Sequence, residues 1–551
     1  MNKSGGKNRN ISKVRLKKVG TRERKTNVAS EVVPFRNSDF LAILYVLLTM
    51  LFTTGIMAWV YPIAGFKHWY KHLPLAVLIL LLSVVCMRVM LGIVDKKILR
   101  RNSRILMLCV VAAFSVSISA ASLSITSLPE IKILFPIDIS ETSHFLLPYI
   151  FAPAMATLLA GTGAGLSFGL GMAFLNLLFI KNDFAILPVI AAGITIAIVT
   201  PRLLQKVRRR VALLRAFSIV GCVQFLAVII FLSVKLASAN GADTGYYTTL
   251  GMIVAFAAIA TILSTGISYA ATILLLAFLE HIFAATSNIR LNEFTDLSNP
   301  ILQRLSLEAP GTYHHSVVVA SLAAAAAERI GANALLARVG AYYHDIGKLT
   351  KPSFYTENTG GSRHNPHDNI TANMSSVIIG AHVKEGIGIA IHHNLPPPIL
   401  DIIKEHHGTS VMSWFLHKAK EEAKLKAAAE QTQPEPIDEN QFRYPGPRPA
   451  TKESGIVMLA DCVEAASRSL ERPTPSAIEN LVENIVTDKV SDEQLDLCPL
   501  TFIDLVSIKR TFITTISNIL HARVPYPKDS EQKDKNDETE NNDKKSSAEN
   551  R

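Results

Sequence analysis

Eight apolar stretches crowd the first 285 residues, running roughly 40–62, 74–94, 104–127, 145–162, 163–180, 184–200, 217–236 and 250–284. Each approaches the length of helix that a ~30 Å hydrocarbon core demands. In lipid, such a segment must satisfy its own backbone N–H and C=O groups, which makes the helix its solution. Hydrophobic residues make up 49% of the chain and charged residues 18%, and the apolar excess is confined to these stretches. The sequence therefore describes a membrane half joined to a soluble half.

Loop charges orient the spans. The segment from Asp95 to Arg104 and that from Pro201 to Arg215 are strongly basic, whereas Leu128 to His144 is net acidic and Ala237 to Thr249 holds one acid and no base. With Met1 inside, eight spans place both basic segments and the C-terminal half in the cytoplasm. The tight points are Gly161-Thr162-Gly163-Ala164-Gly165, which must turn sharply between two spans, and the last stretch, which is longer than one span needs. Arg88 lies near the cytoplasmic end of the second span, where snorkelling explains it.

Residues 1–36 carry eleven Lys or Arg against two acids and no apolar core, the pattern of a basic arm that fixes topology or touches anionic lipid, not of a cleavable signal peptide or a nucleic-acid binder. The five cysteines form no zinc or disulfide pattern. The end, 528–551, alternates Lys with acids, Asn and Ser and is expected to be disordered. The expected organisation is a basic arm over 1–39, a membrane domain over 40–285, a soluble domain over 286–527 and a charged tail over 528–551.

The chemistry sits in the soluble half. Ten of the sixteen histidines fall between 314 and 407, around the run Ala341-Tyr342-Tyr343-His344-Asp345-Ile346-Gly347-Lys348. His315 lies upstream; His382, the pair His406-His407 and Asp461 lie downstream. The pattern around them predicts helices over 316–330, 334–343, 370–384, 398–406 and 456–470, with no alternation that would make a sheet, so the whole chain is expected to be all-α. Adjacent helical residues point about 100° apart, so His344 can face one ion while Asp345 swings between two. A carboxylate bridge holds two ions roughly 3.5–4 Å apart, the separation at which both can clamp a phosphodiester. Imidazole and carboxylate without thiolate favour iron or manganese over zinc.

At these residues the chain resembles a known family. The strings Glu308-Ala-Pro-Gly-Thr-Tyr-His-His-Ser316, Gly340-Ala-Tyr-Tyr-His-Asp-Ile-Gly-Lys348, Asn365-Pro-His-Asp368, Glu405-His-His-Gly-Thr409, Tyr444-Pro-Gly-Pro447 and Val457-Met-Leu-Ala-Asp461 are similar to those of the seven-transmembrane HD-domain proteins of the PgpH type, bacterial membrane phosphodiesterases that hydrolyse cyclic di-AMP to pApA. The resemblance implies a multi-pass cell-membrane protein with a cytoplasmic HD metallohydrolase domain and two divalent ions. His315, His344, Asp345 and Asp461 would hold one ion, and Asp345, His382, His406 and His407 the other. Lys348 and Arg468 would offset substrate phosphate charge. Cyclic di-AMP and the lipid bilayer are the expected partners, a nucleic-acid polymer is not, and a homo-oligomer is allowed. The chain departs from the family in one respect: about a dozen residues, Gly65 to Leu75, replace the large extracytoplasmic domain that family members carry between their first two spans.

Other residues have plainer readings. His314 is expected beside the site and not in it. The pair His392-His393 mimics His406-His407, but Asn394-Leu395-Pro396 ends its helix at once, so it reads as structural. His364 and His367 flank a Pro-containing loop and read as turn residues or as part of a loop over substrate, and His417 reads as part of a solvated helix face. The segment 418–449 is expected to be an insertion at the rim. A competing enzyme reading keeps the metals and changes the substrate to cyclic di-GMP or another nucleotide. A third makes the domain a nucleotide receptor without turnover.

Overall fold

The computed structural model describes residues 38–63, 69–94, 96–99, 101–126, 143–179, 186–205, 207–237, 244–359, 365–470 and 473–521. The basic arm, the charged tail, His364 and the acidic segment before Ser143 lie outside them. Among the described residues the chain is helical without a strand, and one isolated antiparallel bridge pairs Val411 with Arg443. It divides into two compact units, one of Met1–Ala156, Gly163–Ala197 and Phe225–Ser264, the other of Thr157–Thr162, Ile198–Gln224 and Thr265–Arg551.

The apolar stretches become helices α1 (Asp39–Ile63), α2 (Trp69–Val94), the short α3 (Lys96–Leu99), α4 (Asn102–Thr126), α5 (Phe151–Ala160), α6 (Thr162–Leu175), α7 (Ile186–Leu204), α8 (Arg210–Ala237) and α9 (Thr244–Phe283). Six of these are long and apolar enough to cross a membrane, and two shorter apolar helices lie within His144–Ala160 and Val189–Leu204. The tight turn between α5 and α6 is made by Gly161 at a φ of +93°, a left-handed conformation that glycine adopts without a steric cost. Helices in lipid gain little from apolar burial against one another, so close approach of small residues decides their packing. Within the first unit α6 and α7 show this: a Cβ on Gly169 would lie 2.6 Å from that of Ala197, and one on Gly193 2.6 Å from that of Ala173. The last helix runs for 40 residues, ~60 Å at 1.5 Å per residue.

The second unit continues with α10 (Asn288–Glu293), α11 (Pro300–Glu308), α12 (Pro310–Arg329), α13 (Ala334–Tyr343), α14 (Ala372–His392), α15 (Pro397–Glu405), α16 (Ser413–Glu430), α17 (Lys452–Ser467), α18 (Pro475–Ser491) and α19 (Phe502–His521). By length and composition alone α14 would also pass for a membrane span, but it packs against α15, α16 and the turn after α13. Three expected helices move their bounds by more than one residue, the one expected over 456–470 running from Lys452 to Ser467. Helix α12 starts at Pro310, not near Ser316, because proline at the first helical position gives up an N–H that has no partner there anyway. Helix α14 starts after the Thr371 cap and continues to His392.

Helix α13 positions the site. Its residues Leu335, Val339 and Tyr343 repeat every four positions and enter a core shared with α11, α14 and α15. On another face, Ala337 and Ala341 enter a second core built with α12, α17, α18 and α19. A helix buried on two faces carries little freedom at its C-terminal end, where His344 and Asp345 follow.

Candidate metal centre

Five helices deliver the expected side chains to one place. His315 comes from the second turn of α12, His344 and Asp345 from the end of α13, His382 from the middle of α14, His406 and His407 from the end of α15, and Asp461 from α17. The turn Ile346–Thr350 lies against the α14 backbone so closely that a Cβ on Gly347 would sit 1.9 Å from the His382 carbonyl oxygen. Only glycine fits there, and the contact fixes Asp345 against His382.

Asp345 stands in the middle. Its Oδ2 lies 3.3 Å from His344 Nε2 and 3.7 Å from His315 Nε2, and its Oδ1 lies 3.4 Å from His382 Nε2 and 3.8 Å from His406 Nε2. The two oxygens of one carboxylate thus face two ligand groups. Asp461 completes the first, with Oδ1 3.0 Å from His315 Nε2 and 3.8 Å from His344 Nε2, and its Oδ2 is 3.6 Å from His407 Nδ1. Ligand atoms of Asp345, His382, His406 and His407 all lie within 4.8 Å of one another, as do those of His315, His344 and Asp345.

The far ring nitrogens are held as a metal site requires. Nδ1 of His344, His382 and His406 faces the carbonyl oxygens of Ala341, Ile379 and Ile403 at 2.7, 2.6 and 2.8 Å. A carbonyl accepts only, so Nδ1 carries a proton and Nε2 is the nitrogen turned inward. His315 Nδ1 instead meets Glu464 Oε2, and Glu464 Oε1 is bound by Arg468 Nε at 2.8 Å. His407 stacks on Tyr444 with centroids 4.1 Å apart.

Charge divides the two groups. Burial drives His382, His406 and His407 toward the neutral ring, His406 down to about 3. Burial opposes the charge on His344 too, but Asp345 and Asp461 outweigh it and raise the group to about 10. His315 is likewise raised: burial is overcome by its hydrogen bonds to Asp461 and Glu464. Burial works against ionisation of Asp345 and Asp461, yet both are held well below the usual carboxylate range, by Lys348 and His344 in the first case and by His315 and His344 in the second.

The residues fit divalent ions. His344 Nε2 and Asp345 Oδ1 are buried with no hydrogen-bond partner, a costly state for polar atoms that a bound cation would relieve. The donor set of rings and carboxylates is hard to intermediate and contains no thiolate. This is the arrangement of a metal-dependent hydrolase fold.

A cavity of about 730 Å³ opens onto the cluster. His315, His382, His407 and Asp461 line it, with Lys348 and Arg468 as its cations and Phe354, Tyr355, Trp414, Phe415 and Tyr444 as aromatic walls. Lys348 Nζ is committed to two carboxylates, Asp345 Oδ2 at 2.8 Å and Glu357 Oε1 at 2.7 Å. His392 and His393 are exposed and belong to neither ligand group, and His417 is exposed on α16. His367 does lie in a turn but is buried, not solvent-exposed: its Nε2 lies 2.8 Å from the Phe354 carbonyl, and its ring meets that of Phe415 at 5.3 Å.

Sequence reasoning missed Glu464, Glu357 and the aromatic walls. One signal was available for Glu464: spacings of three from Asp461 and four to Arg468 put all three on one face of α17. Nothing in the sequence pairs Glu464 with His315, 149 residues away.

Two family models match the chain, "7TM receptor with intracellular HD hydrolase" over residues 69–287 and "HD domain" over residues 312–466. The cyclic-di-AMP phosphodiesterase PgpH of Bacillus subtilis strain 168 is 38% identical over 324 residues, covering 59% of this chain and 42% of that protein. PgpH of Listeria monocytogenes strain 10403S is 35% identical over 415 residues, covering 73% and 54%. The chain thus spans about half the length of the curated relatives it matches. A solved structure, the L. monocytogenes PgpH HD domain in complex with cyclic-di-AMP, is 41% identical over 41% of this chain and 99% of that one, with a TM-score of 0.38.

Proposed function

We propose, from the premise that this chain belongs to the family of seven-transmembrane proteins with an HD hydrolase domain, that it is a metal-dependent phosphodiesterase cleaving cyclic di-AMP to pApA. It is a multi-pass membrane protein, and in this reading its HD domain faces the bacterial cytoplasm, where the messenger is. The observation that carries the proposal is Asp345 presenting one oxygen to each of two ligand groups, of which His315, His382, His407 and Asp461 line the cavity.

Two divalent ions, iron or manganese, would supply Lewis acidity toward the phosphodiester and a nucleophile at neutral pH. His315, His344, Asp345 and Asp461 would hold one, and Asp345, His382, His406 and His407 the other. Arg468 faces the cavity with side-chain exposure of 37% and meets the substrate phosphate. Lys348 does so more weakly, its charge being shared with Asp345 and Glu357. The rings of Tyr355, Trp414, Phe415 and Tyr444 offer faces on which purine bases can stack. Only residues 64–68 separate α1 from α2, which supports a membrane half without the large external domain expected between them.

The test uses the full chain in nanodiscs with manganese or iron(II), given cyclic di-AMP or cyclic di-GMP and followed by chromatography. Metal-dependent formation of pApA, with cyclic di-AMP preferred, is expected. Binding without turnover would make the protein a receptor, and preference for cyclic di-GMP would reassign the substrate. Reporter fusions at Thr249 and at Arg551 should read extracytoplasmic and cytoplasmic, respectively, and an extracytoplasmic signal at Arg551 would overturn the proposed orientation.

A further inference from the structure

Glu464 is buried and spends both carboxylate oxygens on partners with different tasks. Oε2 meets His315 Nδ1, while Oε1 receives Arg468 Nε at 2.8 Å and stands 2.7 Å from Arg468 Nη2. His315 turns its other nitrogen, Nε2, to Asp461 and Asp345. Arg468 lines the cavity beside it. The other inward-facing rings that bond backward through Nδ1 do so to backbone carbonyls of their own helix, so His315 alone among them depends on a side chain.

We propose that Glu464 is a positioning residue that fixes the tautomer of His315 with one oxygen and the direction of Arg468 with the other, so that a single carboxylate sets both metal loading and phosphate capture. The inference rests on the phosphodiesterase reading above. A carboxylate has no hydrogen to give, so both partners must donate to it. For His315 this places the proton on Nδ1 and leaves the Nε2 lone pair for an ion. Arg468 can only donate, so Glu464 is the one residue type of this size that satisfies both at once.

Glutamine has the same shape and fails for a definite reason. If its carbonyl oxygen faces Arg468, its NH₂ donates to His315 Nδ1, which moves the ring proton to Nε2 and closes the position to metal. If the amide turns over, its NH₂ meets the guanidinium donor to donor. Either His315 loses the tautomer that leaves Nε2 free or Arg468 loses its acceptor. Removing Arg468 frees the amide to present its oxygen to His315, and this yields a second-site rescue that a merely structural glutamate would not show.

The experiment counts manganese alone, by electron paramagnetic resonance of the free ion, on the full chain in nanodiscs. Wild type should hold two ions. Glu464→Gln should bind one of them about 10- to 100-fold more weakly, and the double variant Glu464→Gln with Arg468→Met should recover that affinity while KM for cyclic di-AMP stays raised. Thermal unfolding of each variant shows that it is folded. Glu464→Gln binding both ions as wild type does, or a folded double variant with no recovery, overturns the role of Glu464 and leaves the phosphodiesterase reading standing. A wild-type protein that binds no manganese overturns both.

Discussion

The two ligand groups around Asp345 differ in what holds them. One is rich in carboxylates: His315 and His344 lie among Asp345, Asp461 and Glu464. The other is three rings, His382, His406 and His407, sharing mainly the far oxygen of Asp345. The acids raise His344 to about 10, whereas burial lowers His406 to about 3. One group therefore waits for a cation with protons in its place, and the other waits with lone pairs already free. The proposed dinuclear centre, built this way, would have two sites of unlike pH dependence joined by one residue.

The joining residue gives the largest expected effect. Asp345→Asn keeps the shape and removes the charge that both groups share, so turnover should fall roughly a thousand-fold or more, about 4 kcal/mol of barrier, and metal content should drop in both positions. Elemental analysis showing two ions per chain with near-normal rate would mean that Asp345 does not bridge.

The unlike pH dependence gives a smaller and more discriminating effect. Since His344 is protonated below about 10 in the metal-free protein, an ion entering the carboxylate-rich group at pH 7 must expel that proton, and its affinity should rise with pH up to that value. His406, already neutral at pH 7, releases none. Calorimetry of manganese binding in buffers of different ionisation enthalpy should resolve one proton-releasing event and one that is proton-silent; two identical events would erase the distinction between the groups.

The smallest effect is expected where the comparison does not reach. His392 is exposed at the end of α14 and outside both groups, so His392→Ala should leave turnover within about two- to three-fold and stability within ~0.5 kcal/mol. Loss of a bound ion in that variant would show that the histidine pairs had been assigned the wrong way round.

How much of this was legible depends on the distance over which each feature is decided. The end of α13 is a local matter of helix pattern, and the expected helix 334–343 has the observed bounds. The helix expected over 316–330 starts six residues earlier, at Pro310, since proline favours the first helical turn. Apolar length identified the membrane helices, yet the same measure also selects α14, which carries His382; hydropathy records composition and is blind to a ligand in the middle. The ring positions of His315 and His407 were readable as motif, but their supports were not. Glu464 and Tyr444 reach them only through tertiary packing, and the burial of His367 follows from contacts with Phe354 and Lys418 that no turn rule contains.

The seating of α13 between two apolar cores also makes occupancy a matter of folding. His344 and Asp345 keep their places only while both cores are intact, so an ion that binds the folded chain alone draws on the cooperativity of the whole domain. At a hundred times its Kd it adds about 2.7 kcal/mol, a large share of the few to fifteen kcal/mol by which domains exceed their unfolded state. If the proposed metal-dependent activity holds, metal supply would govern how long the protein survives proteolysis as well as how fast it turns over: a cell short of the ion would lose the protein itself and not merely its activity.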